Sequence, residues 1–506
     1  MRIVDLPDNR EQADSSPANK AKLNNANKTD RELEFEAWNH VASIDARKEA
    51  VEFISNRRGV QQIIFLLRQS EHEHAIWLNN NLSQPDKLRR GLDCRLELFT
   101  RLKNQWQRYG SNHHFYQHMQ LLPVTGQCIV RAPADDLIRF LECDDAFDVR
   151  SPISGIILNE SCAVPERDTE KILAANGHDP HENFAKVEAR LKKCSHDEFA
   201  YFDDFGVAGL GGLIRRHSGV GRTVTIIDSG CDESHPAHQQ SITEFKYLDA
   251  YGNEKPTHYA SDAGCHGTKV QGAIMARPID NLSLGIEIPF RLRFGVAPGA
   301  AAISIKALGG DACREGGTAI QIGRALEYVA CRRVGMSSHN SSGIWTGPDI
   351  CNLSASIVTS PDRTRPKESA ACFDRLLDRL QSYGVAVLLA SGNGPHHSSR
   401  LGTKGVYVGA CDSKGKVWDN TLAPYDLLLP GVDVICTQPS LPILGSHLLG
   451  EYSGTSFSTA TLSGIVAVLS ECANRPALEV VEALQVTAKE SRQLDLEEAE
   501  RWLKGS

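Results

Sequence analysis

The chain has 506 residues, too many for one ordinary domain and enough for two or three. Its content of 41% hydrophobic and 23% charged residues is typical of a soluble globular protein. Lys and Arg number 55 against 63 Asp and Glu, which gives a net charge of −8, and no Lys/Arg-rich stretch stands out, so a nucleic-acid partner is not predicted.

The N-terminus and the cysteines favour a cytoplasmic location without membrane attachment. The first residues turn strongly polar, without the apolar segment of a secretory signal, and no apolar run is long enough to span a bilayer. The 14 cysteines include no C-x-x-C pair and are interpreted as mostly reduced, buried thiols. Zinc-type spacing is absent, so no metal site and no cofactor are predicted, and structural calcium cannot be inferred from the sequence.

Two segments precede the first predicted domain. Residues 1–30 are rich in Asn, Asp, Ser, Lys and Pro and are predicted to be a mobile polar tail. Residues 31–59 are predicted to be helical because apolar residues recur there at helical spacing. Thr29 and Glu32 are expected to form a capping box at its start, and Gly59 to end it.

Residues 60–152 are predicted to form a small α+β domain. The apolar pattern indicates the order strand–helix–strand–strand–helix–strand, which is the split βαβ order of ferredoxin-like domains. The expected strands are 60–67, 115–121, 124–131 and 146–149, and the expected helices are 88–106 and 135–143. Residues 153–199 are interpreted as a partly helical connector.

The segment 200–506 has a different pattern. Short apolar strands, such as 224–227, 302–305 and 385–389, alternate with helical stretches. This alternation predicts an α/β domain with a doubly wound, mostly parallel sheet and helices on both faces. Reactive groups in such domains gather at the carboxyl ends of the strands.

Four polar residues fall at such positions. Asp228 directly follows a strand and enters a glycine turn, and His266 lies among small residues before a predicted helix. Ser456 lies at the start of another predicted helix, where negative charge is favoured, and Asn393 follows a strand within Gly-Asn-Gly. Taken singly, each has an ordinary structural interpretation as a turn cap, a surface or core histidine, a helix cap or a turn.

Together, these motifs resemble those of the subtilisin family. DSG at 228–230 is similar to the family's aspartate motif, HGT at 266–268 to its histidine motif, and GTS at 454–456 to its serine motif. ASGN at 390–393 is similar to the motif of its oxyanion asparagine. The chain order Asp…His…Ser is also the subtilisin order, and the resemblance covers about residues 200–503.

The resemblance implies a serine endopeptidase acting on protein or peptide substrates. Ser456 would be the nucleophile, His266 the general base, Asp228 the residue that orients the imidazole, and Asn393 a donor to the oxyanion. Two alternatives remain open: a catalytically quiet binding protein on the same fold, and an enzyme that transfers the acyl group to an amine. Both use the same fold, so activity measurements must separate them.

The resemblance also identifies a substrate-binding strand, with departures from the usual pattern. Ser354, Ala355 and Ser356 are expected to form one wall of the primary pocket, where the family usually has Ser-Leu-Gly-Gly. Specificity therefore cannot be transferred from the family. Extra residues at 278–293 and 337–347 are expected to form loops that either restrict entry or are ordinary surface insertions.

Two further expectations concern regulation. The 60–152 segment resembles an inhibitory subtilisin propeptide, so we expect it to assist folding and to block the site as in a zymogen; an unrelated accessory domain is the alternative. Cleavage would fall within 150–215. Cys265 and Cys231 lie beside the motifs, so they either make activity sensitive to oxidation or are simply small buried residues.

Overall fold

The computed structural model describes residues 42–57, 59–79, 81–109, 119–148, 151–159, 161–163, 180–193, 197–249, 254–255, 262, 266–279, 291, 293–308, 317–335, 347–358, 367–394, 398–439, 448–488 and 490–505. The predicted tail and capping box lie outside these residues. The described part of the predicted helix 31–59 contains α1 (Ile44–Ser55). Ser43 caps this helix, because its hydroxyl accepts a hydrogen bond of 3.0 Å from the Ala46 amide.

The next elements build an N-terminal α+β domain. They are β1 (Val60–Leu67), α2 (Glu71–Leu78), α3 (Gln84–Tyr109), β2 (Met119–Leu122), β3 (Gln127–Pro133), α4 (Ala134–Glu142) and β4 (Ile153–Leu158). The strands form an antiparallel sheet in the spatial order β2–β3–β1–β4. Its core contains Phe140, whose ring lies 5.8 Å from that of Phe65 and 4.8 Å from that of Trp106.

The last strand of this domain differs from its predicted position. Ala146 and Phe147 lie in a short 3₁₀ helix, Asp144–Phe147, and the strand is Ile153–Leu158, which the sequence pattern assigns to the connector. The physical reason is that every residue of β4 is buried, so the alternation that identifies a half-exposed strand is missing. The domain therefore continues to about residue 158.

The remainder of the chain contains the larger α/β domain. In chain order, its elements and those that lead to it are β5 (Ser161–Ala163), α5 (Pro180–Lys193), α6 (Ala200–Asp203), α7 (Leu210–Arg216), β6 (Thr223–Asp228), β7 (Ile242–Leu248), β8 (Glu254–Lys255), α8 (His266–Met275), β9 (Ala301–Lys306), β10 (Gly317–Thr318), α9 (Ala319–Val334), β11 (Ile350–Leu353), β12 (Ser356–Val358), α10 (Lys367–Ser382), β13 (Ala386–Ala390), β14 (Ser398–Ser399), β15 (Val406–Cys411), β16 (Leu427–Pro430), β17 (Val434–Thr437), β18 (Leu449–Tyr452), α11 (Thr455–Ala473), α12 (Ala477–Thr487) and α13 (Leu496–Gly505).

A large parallel sheet forms the centre of this domain. Its described strands lie in the order β16–β15–β13–β11–β6–β9–β7–β8, and every pair is parallel except β7 with β8. The chain leaves β6 first toward β7 and β9 and later returns to β11 on its other side. Such a reversal opens a crevice at the carboxyl ends of the two central strands.

Helices cover both faces of this sheet, as predicted. Neighbouring strand residues point to opposite faces: Ile226 packs in the core beneath α8 and α11, while Ile227 packs in the core beneath α9 and α10. Helix α11 is long and apolar enough to cross a membrane by length and composition. However, 83% of its most apolar window is buried inside the protein, which is expected of a core helix.

The N-terminal domain packs against α9 and α10 of the larger domain. Apolar residues of β1, β3 and β4, including Ile64 and Ile157, share one core with these two helices. The carboxylate of Glu327, on α9, accepts hydrogen bonds from the Val124 and Thr125 amides at 2.9 and 2.7 Å and from the Thr125 hydroxyl at 2.6 Å. The domain contact is therefore both apolar and specific.

Candidate active site

Asp228 and His266 are in direct contact at the carboxyl edge of the parallel sheet. Asp228 ends β6 and His266 begins α8. His266 Nδ1 lies 2.7 Å from Asp228 Oδ1, and both side chains are at most 3% exposed. A buried carboxylate at Nδ1 holds a proton on that nitrogen, so Nε2 is the ring atom able to accept another.

Two glycines allow this contact. A Cβ atom at Gly267 would lie 2.0 Å from the Gly230 carbonyl oxygen, so only glycine permits the start of α8 to approach the turn after β6. Gly230 itself has φ of 111°, a conformation that other residues rarely adopt. The glycine-rich motifs are therefore required by the backbone geometry that brings Asp228 to His266.

Ser456 and Asn393 meet at the beginning of α11. Ser456 is the second residue of this helix and is fully buried. Asn393 follows β13, and its Oδ1 accepts hydrogen bonds from the Thr455 amide at 3.0 Å and the Thr455 hydroxyl at 2.8 Å. These bonds fix the Asn393 amide with Nδ2 on the side of Gly454, where a Cβ atom would lie 3.2 Å from it.

The side chains of these groups hold unused hydrogen-bonding capacity. The ring of Phe457 lies 6.3 Å from that of His266, which brings the first turn of α11 beside the imidazole. Ser456 Oγ, Asn393 Nδ2 and Asp228 Oδ2 are buried without a hydrogen-bond partner in the described part of the chain. Buried polar atoms are nearly always paired, so such a cluster marks a site where a ligand or reacting group is expected.

The predicted substrate-binding residues lie beside Ser456. The Ser354 hydroxyl is 3.5 Å from the Ser456 carbonyl oxygen and accepts a hydrogen bond of 3.2 Å from Asn352. Ala355 is buried, and Ser356 begins β12, directly after this segment. The structure thus brings all seven predicted site residues to one edge of the sheet.

A segment of the chain itself occupies a strand position next to this wall. β5 lies between β10 and β12 and is antiparallel to both. Ala163 is in register with Ser356, and Cys162 is in register with Ile357 on one side and Gly317 on the other. This segment begins three residues after the end of β4 of the N-terminal domain, so the domain and the strand beside the site are neighbours in the sequence.

Asp262 belongs to the site and was not predicted. Its carboxylate is 3% exposed and accepts hydrogen bonds of 2.7 Å from both the Ser229 hydroxyl and the Thr268 amide. Burial raises the pKa of this carboxyl group, and the two hydrogen bonds oppose the increase. An acidic residue four positions before a predicted helical histidine was the available sequence signal.

Several other sequence expectations concern the surroundings of the site. Cys231 is 1% exposed, and burial raises the pKa of its thiol well above the ordinary value, which favours the structural interpretation of this cysteine. Cys265 and most of the predicted loops 278–293 and 337–347 lie outside the described residues. Among the described residues, no group of three or more His, Cys, Asp or Glu is arranged to hold a metal ion.

A doubly wound parallel sheet with aspartate, histidine and serine at adjoining strand and helix ends is the architecture of a serine hydrolase. Comparison with known proteins specifies the class. The model of the Subtilase family matches residues 219–500, more than half of the chain. Intracellular serine protease of Paenibacillus polymyxa is 26% identical over 266 residues, which cover 51% of this chain and 68% of that protein.

Two proteins of Bacillus subtilis (strain 168) show the same similarity. Major intracellular serine protease is 25% identical over 257 residues, covering 49% of this chain and 67% of the relative. Subtilisin E is 26% identical over 266 residues, covering 50% and 56%. The chain therefore belongs to the subtilase family, and it is a serine endopeptidase that acts on protein substrates.

Proposed function

We propose that Asp228, His266 and Ser456 form the catalytic triad of this peptidase and that the N-terminal domain inhibits it. The observation that carries the first part is the buried contact of 2.7 Å between His266 Nδ1 and Asp228 Oδ1, with the Ser456 helix beginning beside the imidazole. The partnerless Ser456 hydroxyl supports the same assignment within the described residues.

The chemistry follows from these positions. Ser456 Oγ attacks the peptide carbonyl carbon while His266 Nε2 takes its proton, and Asp228 stabilises the imidazolium that forms. When the C–N bond breaks, His266 gives the proton to the leaving amine, and the acyl group remains on Ser456. Water, activated by the same imidazole, then releases the carboxylic acid and restores the serine.

The oxyanion of each tetrahedral intermediate would be stabilised by two donors. Asn393 Nδ2 is one, because Thr455 holds the opposite end of the amide and leaves Nδ2 without another partner among the described residues. The Ser456 backbone amide, at the N-terminus of α11, is the other. Removal of one such donor costs about 3 kcal/mol of transition-state stabilisation in comparable enzymes.

Autoinhibition is supported by the position of β5. An antiparallel segment between β10 and β12, in register with Ser356, occupies the place that a substrate backbone would take beside the predicted wall. The docked N-terminal domain holds this segment in place. In the intact chain Ser456, His266 and Asn393 are at most 4% exposed, and we expect activity once β5 has been cleaved or displaced.

The catalytic assignment is tested with the full chain, Ser456→Ala and a control, Ser470→Ala. Ser470 is equally buried on the same helix but lies about four turns away. We expect fluorophosphonate labelling, self-cleavage and hydrolysis of a peptide library by the wild type and the control, and none by Ser456→Ala. If the wild type remains unlabelled even after the first 200 or so residues are removed, the chain is a binding protein; ligated products would indicate acyl transfer.

The inhibitory role of β5 has a separate test. Cys162→Pro removes a backbone N–H from the centre of β5 and disfavours pairing on either side, whereas Cys162→Ser preserves the backbone. We expect Cys162→Pro to accelerate fluorophosphonate labelling of the intact chain and Cys162→Ser to leave the rate unchanged. Equal labelling rates in both variants would contradict inhibition by this strand.

Location and substrate range are also proposals. Two relatives are named as intracellular serine proteases, which supports the expected cytoplasmic location. A site closed by its own chain is suited to a restricted set of protein targets. Efficient digestion of many unrelated denatured proteins by the activated enzyme would contradict that restriction.

A further inference from the structure

The carboxylate of Asp262 connects three segments around the proposed catalytic pair. Its Oδ1 accepts a hydrogen bond of 2.7 Å from the Ser229 hydroxyl, and its Oδ2 accepts one of 2.7 Å from the Thr268 amide. Ser229 Oγ in turn accepts a hydrogen bond of 2.9 Å from the Gly267 amide. One buried side chain therefore links the turn after β6, the segment before α8 and the first turn of α8.

These links lie next to the reacting groups in the chain. Ser229 follows Asp228, and Gly267 follows His266, so the contact of Ser229 with Gly267 sets the distance between the two segments that carry the pair. Thr268 lies in the first turn of α8, where a carboxylate also interacts favourably with the helix dipole. The carboxylate of Asp262 bonds to Ser229 and Thr268, while the imidazole of His266 bonds to Asp228.

We propose that Asp262 is a positioning residue for the Asp228–His266 pair. This inference rests on the proposed triad. Asp262 holds the end of β6 and the start of α8 at their observed separation. Loss of a positioning group that displaces reacting atoms by about 1 Å can reduce the rate by about 100-fold. The effect should fall on the rate constant kcat, because the hydrogen bonds of Asp262 go to neighbours of the reacting pair, Ser229 and Thr268, and not to the substrate-binding residues 354–356.

Asp262 is also a second buried carboxyl group beside the Asp228–His266 pair, and it interacts electrostatically with Asp228. A nearby negative charge favours imidazolium, so its removal should lower the pKa of His266 and shift the acidic limb of the rate profile to lower pH. Two buried cations of the neighbouring elements, Lys269 and Lys306, lie over the rings of Tyr452 and Tyr247. Among the described residues, Asp228 and Cys231 interact electrostatically with Asp262, and Asp232 and Glu233 interact with Cys231.

Two substitutions distinguish the effect of the Asp262 hydrogen bonds from the effect of its negative charge. Asp262→Asn preserves the shape: the amide oxygen can accept from Thr268, and the amide nitrogen can donate to Ser229 Oγ, which still accepts from Gly267. Asp262→Ala removes both links. The matched control is Asp349→Ala. Asp349 is also buried, and its carboxylate accepts a hydrogen bond of 2.9 Å from the Ala477 backbone amide. It lies before β11, at the opposite end of the parallel sheet.

The first measurement is the pH dependence of kcat and kcat/KM for the activated chain. We expect Asp262→Ala to lower kcat by about 100-fold with KM within about twofold of the wild type. We expect Asp262→Asn to retain at least a tenth of kcat and to shift the acidic limb to lower pH. Asp349→Ala should change neither kcat nor the profile.

The second measurement does not require activity. In the intact Ser456→Ala chain, the buried proton on His266 Nδ1 should give a low-field ¹H resonance that persists in Asp262→Asn and Asp349→Ala and is shifted or lost in Asp262→Ala. The inference is overturned if Asp262→Ala matches Asp349→Ala in both kcat and this resonance. A wild type without peptidase activity would instead refute the proposed function, and the resonance would still decide the positioning role.

Discussion

Replacing Arg95 by Met should severely destabilise the N-terminal domain where it contacts the larger domain. Arg95, on α3, is 2% exposed and donates to Glu73 Oε1 through Nε at 2.9 Å and through Nη2 at 2.6 Å. The same carboxylate oxygen accepts from Arg379 of the larger domain at 3.4 Å. The substitution keeps the apolar stem of the side chain but leaves the Glu73 carboxylate, 1% exposed, with a single and longer cationic contact among the described residues.

The expected magnitude follows from this burial. Breaking a buried ion pair by removing one partner costs about 3–5 kcal/mol, because the remaining charge stays in a low-dielectric environment. The Pro123 carbonyl, which accepts from Arg95 at 2.8 Å, also loses its donor. The matched control is Arg101→Met on the same helix, whose pair with Glu97 is more than half exposed and should contribute less than about 1 kcal/mol.

The assay is urea unfolding of the intact chain, with Ser456→Ala in every variant so that self-digestion cannot interfere. We expect a lower unfolding free energy for Arg95→Met than for Arg101→Met, and partial recovery in the double variant Glu73→Gln/Arg95→Met, which removes the unpaired charge. Equal destabilisation by Arg95→Met and Arg101→Met would refute the reasoning. The reasoning would also be refuted if the double variant lost more unfolding free energy than the two single variants lose together.

Three further outcomes are expected. Asn393→Ala should lower kcat of the activated enzyme by about 10²–10³-fold with little change in KM, since Nδ2 is the proposed donor to the developing oxyanion; a change confined to KM would contradict that role. Burial lowers the pKa of His238 to about 3, so below about pH 6.5 the unfolded chain binds a proton at this residue that the folded chain does not. The unfolding free energy should therefore fall by up to about 1.4 kcal/mol per pH unit as the pH decreases towards 3. Urea unfolding between about pH 7 and 4 should show a shallower decline for His238→Gln than for the wild type. Because Cys231 is buried and the pKa of its thiol is raised, iodoacetamide should alkylate it only after unfolding. Peptide mass spectrometry detects the modification. Alkylation of Cys231 in the folded chain would contradict its structural role.

The sequence pattern predicted the catalytic domain well because its elements have strong local signals. Strands such as β6 and β13 are short apolar runs that end at polar residues, and parallel strands bring such ends to one edge. Asp228 and Asn393 could therefore be placed near one another before their contacts were known. The glycines beside Asp228 and His266 carried the same information, since close backbone approach requires them.

Elements that depend on contacts between domains were harder to predict. β4 is buried on both faces, because one side packs in its own domain and the other against α10, where Arg375 donates to the Ser154 carbonyl at 2.9 Å. It therefore lacked the alternation that marks a strand. α2 was not predicted, although its Glu73 is central to the buried ion cluster.

The sequence by itself determined the chemistry that is available: the identity and order of Asp228, His266 and Ser456, and the glycines that allow their segments to meet. Those are local properties of side-chain type and backbone freedom. Only the tertiary structure decided which groups lie together, since hydrogen bonds join Asp262 to the segments that carry Asp228 and His266. Only the tertiary structure, too, placed β5 beside Ser356, because pairing between strands nearly 200 residues apart leaves no periodic signal in either strand.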